Sequence, residues 1–248
     1  MKRINLASIA TSPPEKLTER GIDDEYDNLR QEIEDLQEMM LAQGKYSLLI
    51  VLQGMDAAGK DSAVNKVFSK VGHAGLRVQS FKRPTDLEMN HDFLWRVHQQ
   101  VPEKGRIQVF NRSHYEDVLI QRVHHWIDEK TVKQRFVHIN NFEKLLADTG
   151  TTVVKFYLHI SKEQQLIELN ERLENPEKYY KHNPNDFNER KHWDEYMKAY
   201  EDVFYHCGPD NPWHIIPSDE NWYKEYCMAK VVAEALRNMD LSYPPLEE

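Results

Sequence analysis

The residues Gly54-Met55-Asp56-Ala57-Ala58-Gly59-Lys60 reproduce the spacing G-x-x-x-x-G-K. The chemistry this spacing serves is the gripping of phosphate. A turn leading from a strand into a helix can point its backbone N–H groups inward, the helix dipole adds partial positive charge, and the lysine adds a full one. The two glycines allow positive φ and close approach of backbone to ligand. Chance gives roughly 0.07 such matches in a chain of this length, so an accidental turn is the poorer account. Gly54, Ala57, Ala58, Gly59, Lys60, Asp61 and Ser62 are therefore the candidate phosphate-binding residues. The hydroxyl that usually follows the lysine and helps hold Mg²⁺ is displaced by Asp61 to Ser62.

Asp56 is an unusual residue for such a loop, because a carboxylate beside phosphate is repelled unless a cation lies between them. Mg²⁺ takes one or two carboxylates plus phosphate oxygens, which makes Asp56 a candidate ligand. A second cluster, Asn111-Arg112-Ser113-His114-Tyr115-Glu116-Asp117, follows an apolar run. Phosphate-loop enzymes often hold Mg²⁺ with an acid at such a strand tip. Asn111 brings no charge here, which leaves Asp56, and after it Glu116, to serve. The forked, always-charged Arg112 suits a phosphoryl group in transfer. Lys82-Arg83 offers adjacent cations to a second anion, and Lys66 extends the basic stretch.

These residues need a scaffold, and the hydrophobic pattern supplies one. Tyr26, Leu29, Ile33, Leu36 and Met40 mark one face of a helix that Gly44 ends. Tyr46–Leu52 reads as a strand buried on both faces, and Lys60–Val71 as a helix. Further strands are expected at Leu76–Ser80, Ile107–Phe110, Val153–Leu158 and His214–Ile216. Helices are expected at about 90–99, 131–147, 162–173, 192–204 and 223–239. Strand–helix alternation implies an α/β fold, a mostly parallel sheet between two helical layers. The expectation is one domain over 1–248, with a helical N-terminal extension to about residue 44. Segment 170–193, rich in Asn and charge and poor in aliphatics, reads as a mobile, helical lid carrying Arg172 and Arg190.

The 248 residues carry a net charge of −9, yet Lys60–Arg83 holds six cations against one acid. That distribution favours a local anion site and disfavours duplex nucleic acid, which needs a long basic face. The longest uninterrupted apolar run, Leu48–Leu52, is far too short to span a bilayer. The first ten residues lack the apolar stretch of a secretion signal. Cys207 and Cys227 stand 20 apart with no second pair, which argues against zinc or a disulfide framework. A reducing cytoplasm is the expected compartment.

Taken together, Gly54–Ser62, Ser80-Phe-Lys-Arg-Pro-Thr85, His91-Asp-Phe-Leu-Trp-Arg96 and Phe110–Asp117 resemble the type 2 polyphosphate kinases, from about Asp24 onward. The resemblance implies a phosphate-loop fold like that of thymidylate kinases. It also implies Mg²⁺-dependent movement of a terminal phosphate between inorganic polyphosphate and nucleotides. Asp56, Lys60, Asn111 and Arg112 match the family's Walker-type positions, although some members carry Asp where this chain has Asn111. The Phe-Asn-Arg-Ser-His-Tyr-Glu-Asp form is similar to the class accepting AMP and ADP, with guanine nucleotides as further substrates. A homo-oligomer, dimer or tetramer, is expected. The expected arrangement runs polyphosphate along Lys60, Lys66, Lys82, Arg83 and Arg112, with the nucleotide under the lid. Two other readings stay open. One is a nucleoside-monophosphate kinase using ATP, and the other is a nucleotide-gated binding protein, for which the polar lid sequence shows no apolar partner surface.

Overall fold

The computed structural model describes residues 3–246; Met1, Lys2, Glu247 and Glu248, the outermost parts of the lead-in and the acidic tail, lie outside them. After a 3-10 turn (Leu6–Ser8) come α1 (Glu19–Gln43), β1 (Ser47–Gly54), α2 (Lys60–Val67) and β2 (Leu76–Ser80). Two single-turn helices, α3 (Asp86–Met89) and α4 (Trp95–His98), lead to β3 (Ile107–Asn111), a 3-10 turn (His114–Val118) and α5 (Ile120–Val123). The chain continues through α6 (Glu129–Asp148), β4 (Thr151–His159), α7 (Lys162–Glu174), α8 (Asn185–Glu189), α9 (Trp193–His206), β5 (Trp213–Pro217) and α10 (Asn221–Arg237).

The five strands form one parallel sheet in the order β2-β3-β1-β4-β5. All eight residues of β1 are buried, as a central strand requires. The chain runs from β1 to β2 and β3 on one side and then crosses β1 to β4 and β5 on the other, so a crevice opens at its carboxyl end, where open α/β sheets bind ligands. One helical layer is α1, α2 and α10 packed together, with α10 also on β4 and β5. On the other face, Lys155 of β4 reaches Glu143 of α6, and Tyr157 meets Tyr200 and Phe204 of α9.

One sequence expectation changes, and two others gain detail. Of the helix expected over 90–99 only the single turn α4 (Trp95–His98) forms, with another single turn, α3, just before the span. Thr85 starts α3 with a capping box, accepting from the Glu88 amide while the Glu88 carboxylate accepts from the Thr85 amide, and Asn90 ends it after one turn. Strand β2 forms at the expected residues as an exposed edge of the sheet, with Arg77, Val78 and Ser80 facing solvent. Segment 170–193 is helical, as expected: the end of α7, 3-10 turns at Pro176–Lys181 and Arg190–His192, and α8 between them. It is also less polar outside than its composition suggests. Leu173, Tyr179 and Tyr180 are exposed, next to Leu166 and Ile167 of α7.

The apolar face of α1 packs within the chain. Ile22, Leu29, Ile33 and Met40 are buried where α1 meets α10, and Arg237 of α10 pairs with Glu32 at 2.5 Å. No helix among the described residues is long and apolar enough to cross a membrane. Ile33 is fully buried. Ile33→Ala should lower unfolding free energy by about 2–5 kcal/mol, read as a shifted urea midpoint with unchanged slope.

Candidate active site

The end of β1 and the start of α2 form the phosphate loop. Gly54 closes β1 so tightly on β4 that a side chain there would meet the Leu158 carbonyl at 3.0 Å. Gly59 takes φ 81° as the N-cap of α2, a left-handed conformation costly for any other residue. Ala57 also has positive φ, 65°, so the loop holds strain that its surroundings must offset. The first amides of α2 have no helical acceptors and are free for an anion.

Lys60 is buried, and its ammonium donates to the carbonyls of Gly54 (2.7 Å) and Met55 (3.0 Å). Burial above all, then the nearby Arg112 charge, lowers its pKa to about 8 against the pull of Asp56, Glu116 and Asp61. Arg112 leaves β3 at φ 59° and donates its N–H to the Leu52 carbonyl at 3.0 Å, which ties the two strand ends together. Its guanidinium pairs with Asp56 and lies 3.5 Å from Glu116. Glu116 first, with Asp56, raises the arginine's pKa despite burial. Asn111 donates to Asp61, and the Ser62 hydroxyl donates to the Gly59 carbonyl at 2.9 Å. Asp61 and Ser62 thus shape the loop's outer side in this arrangement.

On the β2–β3 side a cavity of about 790 Å³ opens beside Arg112 and Glu116. Lys82 and Arg83 line it, but so do the aromatic rings of Phe81, Phe93 and Trp126. Asp117, also in its wall, is pushed up to about 6, mainly by burial, which outweighs Arg135 and Arg96.

The structure brings together Asp56, Lys60, Asp61, Asn111, Arg112 and Glu116, and places Lys82 and Arg83 at the adjoining cavity. It does not bring in Lys66, which is exposed in the last turn of α2 and acts on Glu225 of α10. Six residues along a helix turn a side chain about 240° from Lys60, away from the loop. Arg172 is held by Asp186 at 2.8 Å, and Arg190 by the Lys162 carbonyl and Gln165. Sequence reasoning missed two supports. Gln165, fully buried, donates to the Asp56 carbonyl at 2.9 Å and accepts from Arg190. Lys224 donates to the Ala58 carbonyl at 3.0 Å. Neither stands in a recognisable spacing.

The donor set fits Mg²⁺. Two carboxylates, Asp56 and Glu116, flank one guanidinium at the loop, and Mg²⁺ takes one or two carboxylates with substrate phosphates and water completing its shell. Among the described residues, no three His, Cys, Asp or Glu side chains gather as a metal cluster, so protein ligands would be few.

The depressed Lys60 pKa has a sign that can be tested. Unfolded, the amine holds its proton to about 10.4; folded, it releases it near 8. Between those values the unfolded chain binds more protons, so the term adds stability as pH rises, by at most about 1.4 kcal/mol per unit. Urea unfolding of the ligand-free protein from about pH 7 to pH 9.5 should show this rise relative to Lys60→Met. Parallel profiles for the two proteins would contradict it.

The profile of the family described as Polyphosphate kinase 2 (PPK2) matches residues 16–244. An AMP/ADP-polyphosphate phosphotransferase of Meiothermus ruber is 46% identical over 220 residues, covering 88% of this chain and 82% of that one. An ADP-polyphosphate phosphotransferase of Rhodopseudomonas palustris is 39% identical over 232 residues, covering 87% and 80%. The crystal structure of Polyphosphate Kinase 2 from Arthrobacter aurescens TC1 superimposes with a TM-score of 0.95 at 37% identity, covering 99% of this chain and 89% of that one. A strained phosphate loop facing an arginine between two carboxylates is thus carried on a shared fold and a shared sequence, and the chain belongs to the polyphosphate kinase 2 family.

Proposed function

We propose that the protein transfers the terminal phosphate of inorganic polyphosphate to a nucleoside mono- or diphosphate, AMP or ADP first, and runs the reverse reaction. The observation that carries this is Lys60 and Arg112 converging on one phosphate loop beside a cavity of nucleotide size, in a chain of this family. Aromatic lining suits a base better than it suits a chain of anions. The nucleotide is therefore assigned to the Phe81–Phe93–Trp126 cavity, with Lys82 and Arg83 on its phosphates. Polyphosphate approaches from the α7–α9 side, where segment 170–193 serves as a lid. This exchanges the two substrates relative to the arrangement expected from sequence.

A nucleotide phosphate oxygen attacks the terminal phosphorus of polyphosphate. A new P–O–P bond forms, the bond to the next phosphate breaks, and the shortened chain leaves with the electron pair. The attacking group, with a last pKa near roughly 6, is already largely ionised at neutral pH, so no strong base is needed. Lys60 turns from the loop carbonyls to phosphate oxygens, and Arg112 neutralises charge on the group in transfer. Asp56, with Glu116, would hold Mg²⁺, which would neutralise phosphate charge there. Asp56 and Glu116 keep Arg112 aligned before substrate enters. The whole chain is read as one working unit, a homo-oligomer of the cytoplasm.

Purified protein given polyphosphate, Mg²⁺ and AMP or ADP without ATP should form ADP and ATP over many turnovers. An ATP-dependent monophosphate kinase gives nothing from AMP alone. From ADP it makes ATP only with an equal amount of AMP and with no dependence on polyphosphate, and a nucleotide-gated binding protein gives neither. Arg112→Ala should lower kcat by about 10²–10³ with the circular dichroism spectrum unchanged. Near-normal turnover would remove Arg112 from the mechanism. Trp126→Ala should raise the nucleotide KM about tenfold and leave the polyphosphate KM as it was, since a base stacked on an aromatic ring is worth about 1–3 kcal/mol.

A further inference from the structure

Behind the phosphate loop lies a second ammonium. Lys224, at the first turn of α10, is 1% exposed, and its Nζ donates to the Ala58 carbonyl (3.0 Å) and to Asn221 Oδ1 (2.7 Å). It lies so close to Gly59 that a Cβ there would fall 2.1 Å from Nζ. The two ammoniums thus hold different carbonyls of the loop, Lys60 those of Gly54 and Met55 and Lys224 that of Ala58, 166 residues away in sequence.

We propose that Lys224 is a positioning residue for polyphosphate: its charged amine fixes the Ala58 carbonyl outward, so that the neighbouring amides face the anion, and adds positive potential to the oxyanion site through the loop. The inference rests on the reading of that loop as the polyphosphate-binding element. A neutral donor would satisfy one carbonyl, so hydrogen bonding alone does not account for a buried ammonium. Its pKa is lowered to about 8 by burial, opposed by the two acids that act on it, Glu225 on its own helix and Glu168 on α7. Holding the charge costs the fold free energy, and a polyanion across the loop is what restores it. Such a group is stabilised when the ligand arrives and strained when it is absent.

The test uses Lys224→Gln, which keeps a neutral donor, and Lys224→Met, which keeps length without one. At pH 7 the Gln variant should unfold thermally at or above the wild-type midpoint, because a poorly solvated charge has gone. Calorimetry with tripolyphosphate alone should show affinity weakened about tenfold or more in both variants, with the nucleotide KM unchanged. At about pH 8.5, binding measured in two buffers of different ionisation enthalpy should show wild type taking up more protons than Lys224→Gln. Wild-type tripolyphosphate affinity in Lys224→Gln would overturn the proposal, since a neutral donor then suffices. A proportional rise in nucleotide KM, equal proton uptake, or a fallen midpoint in that variant would also overturn it by marking the amine as structural support. If wild type binds tripolyphosphate with this dependence yet transfers no phosphate, the proposed reaction fails and the role of Lys224 stands. If wild type transfers phosphate while Lys224→Gln binds as wild type, the reverse holds.

Discussion

The Arg112 guanidinium, between the Asp56 and Glu116 carboxylates, is the contact on which the geometry of the site depends. It joins the loop after β1 to the turn after β3, two segments that share no other charged pairing as close. Without it, two carboxylates would stand near the phosphate loop and repel incoming phosphate. Arginine stays protonated at any physiological pH, so this joint persists where the neighbouring lysine titrates. Two of the three non-glycine residues with left-handed backbone among the described residues, Arg112 and Ala57, lie here; the third is His125.

That joint needs rigid walls. The turn bearing Glu116 and Asp117 is anchored from beneath by Tyr115, whose hydroxyl donates to Glu143 at 2.7 Å, while Lys155 donates to the same carboxylate at 2.6 Å and to the Cys207 carbonyl at 2.6 Å. A buried ion pair is stabilising only when its remaining groups are bonded as well, and here the hydroxyl and the carbonyl complete the set. The network ties β4, α6 and the end of α9 to the turn. On the other face, α10 and α1 support α2 and the loop. The loop and the turn after β3 therefore rest on elements held from two directions.

Much of this was legible in the residues themselves. The continuous apolar run of β1 and the spacing Gly54–Lys60 located the loop, because both signals are local and strong. The partners of Arg112 were harder to see, since nothing in Asn111-Arg112 states that its charge will be shared by acids on either side. Lys66 was misplaced by treating proximity in sequence as proximity in space, which helical rotation defeats. Arg172 and Arg190 looked free because their acceptors, Asp186, Gln165 and a main-chain carbonyl, are set by how the segment folds. The exposed Leu173, Tyr179 and Tyr180 show that composition over a window does not report which side chains end up outside. Lys224 carried no signal, for its meaning comes only from contact with Ala58.

The contact between Ala58 and Lys224 also bears on how the chain acquires its site. Contacts of such long separation form late, after the intervening strands have paired and the cost of closing the loop between them has been met. Residues 54–60 can turn and nucleate α2 early, but their final shape waits for α10 to dock. Opening of α10 from the sheet would in turn release the loop while β1, β3 and β4 remain paired, so ligand binding and the seating of this distant helix belong to one cooperative unit.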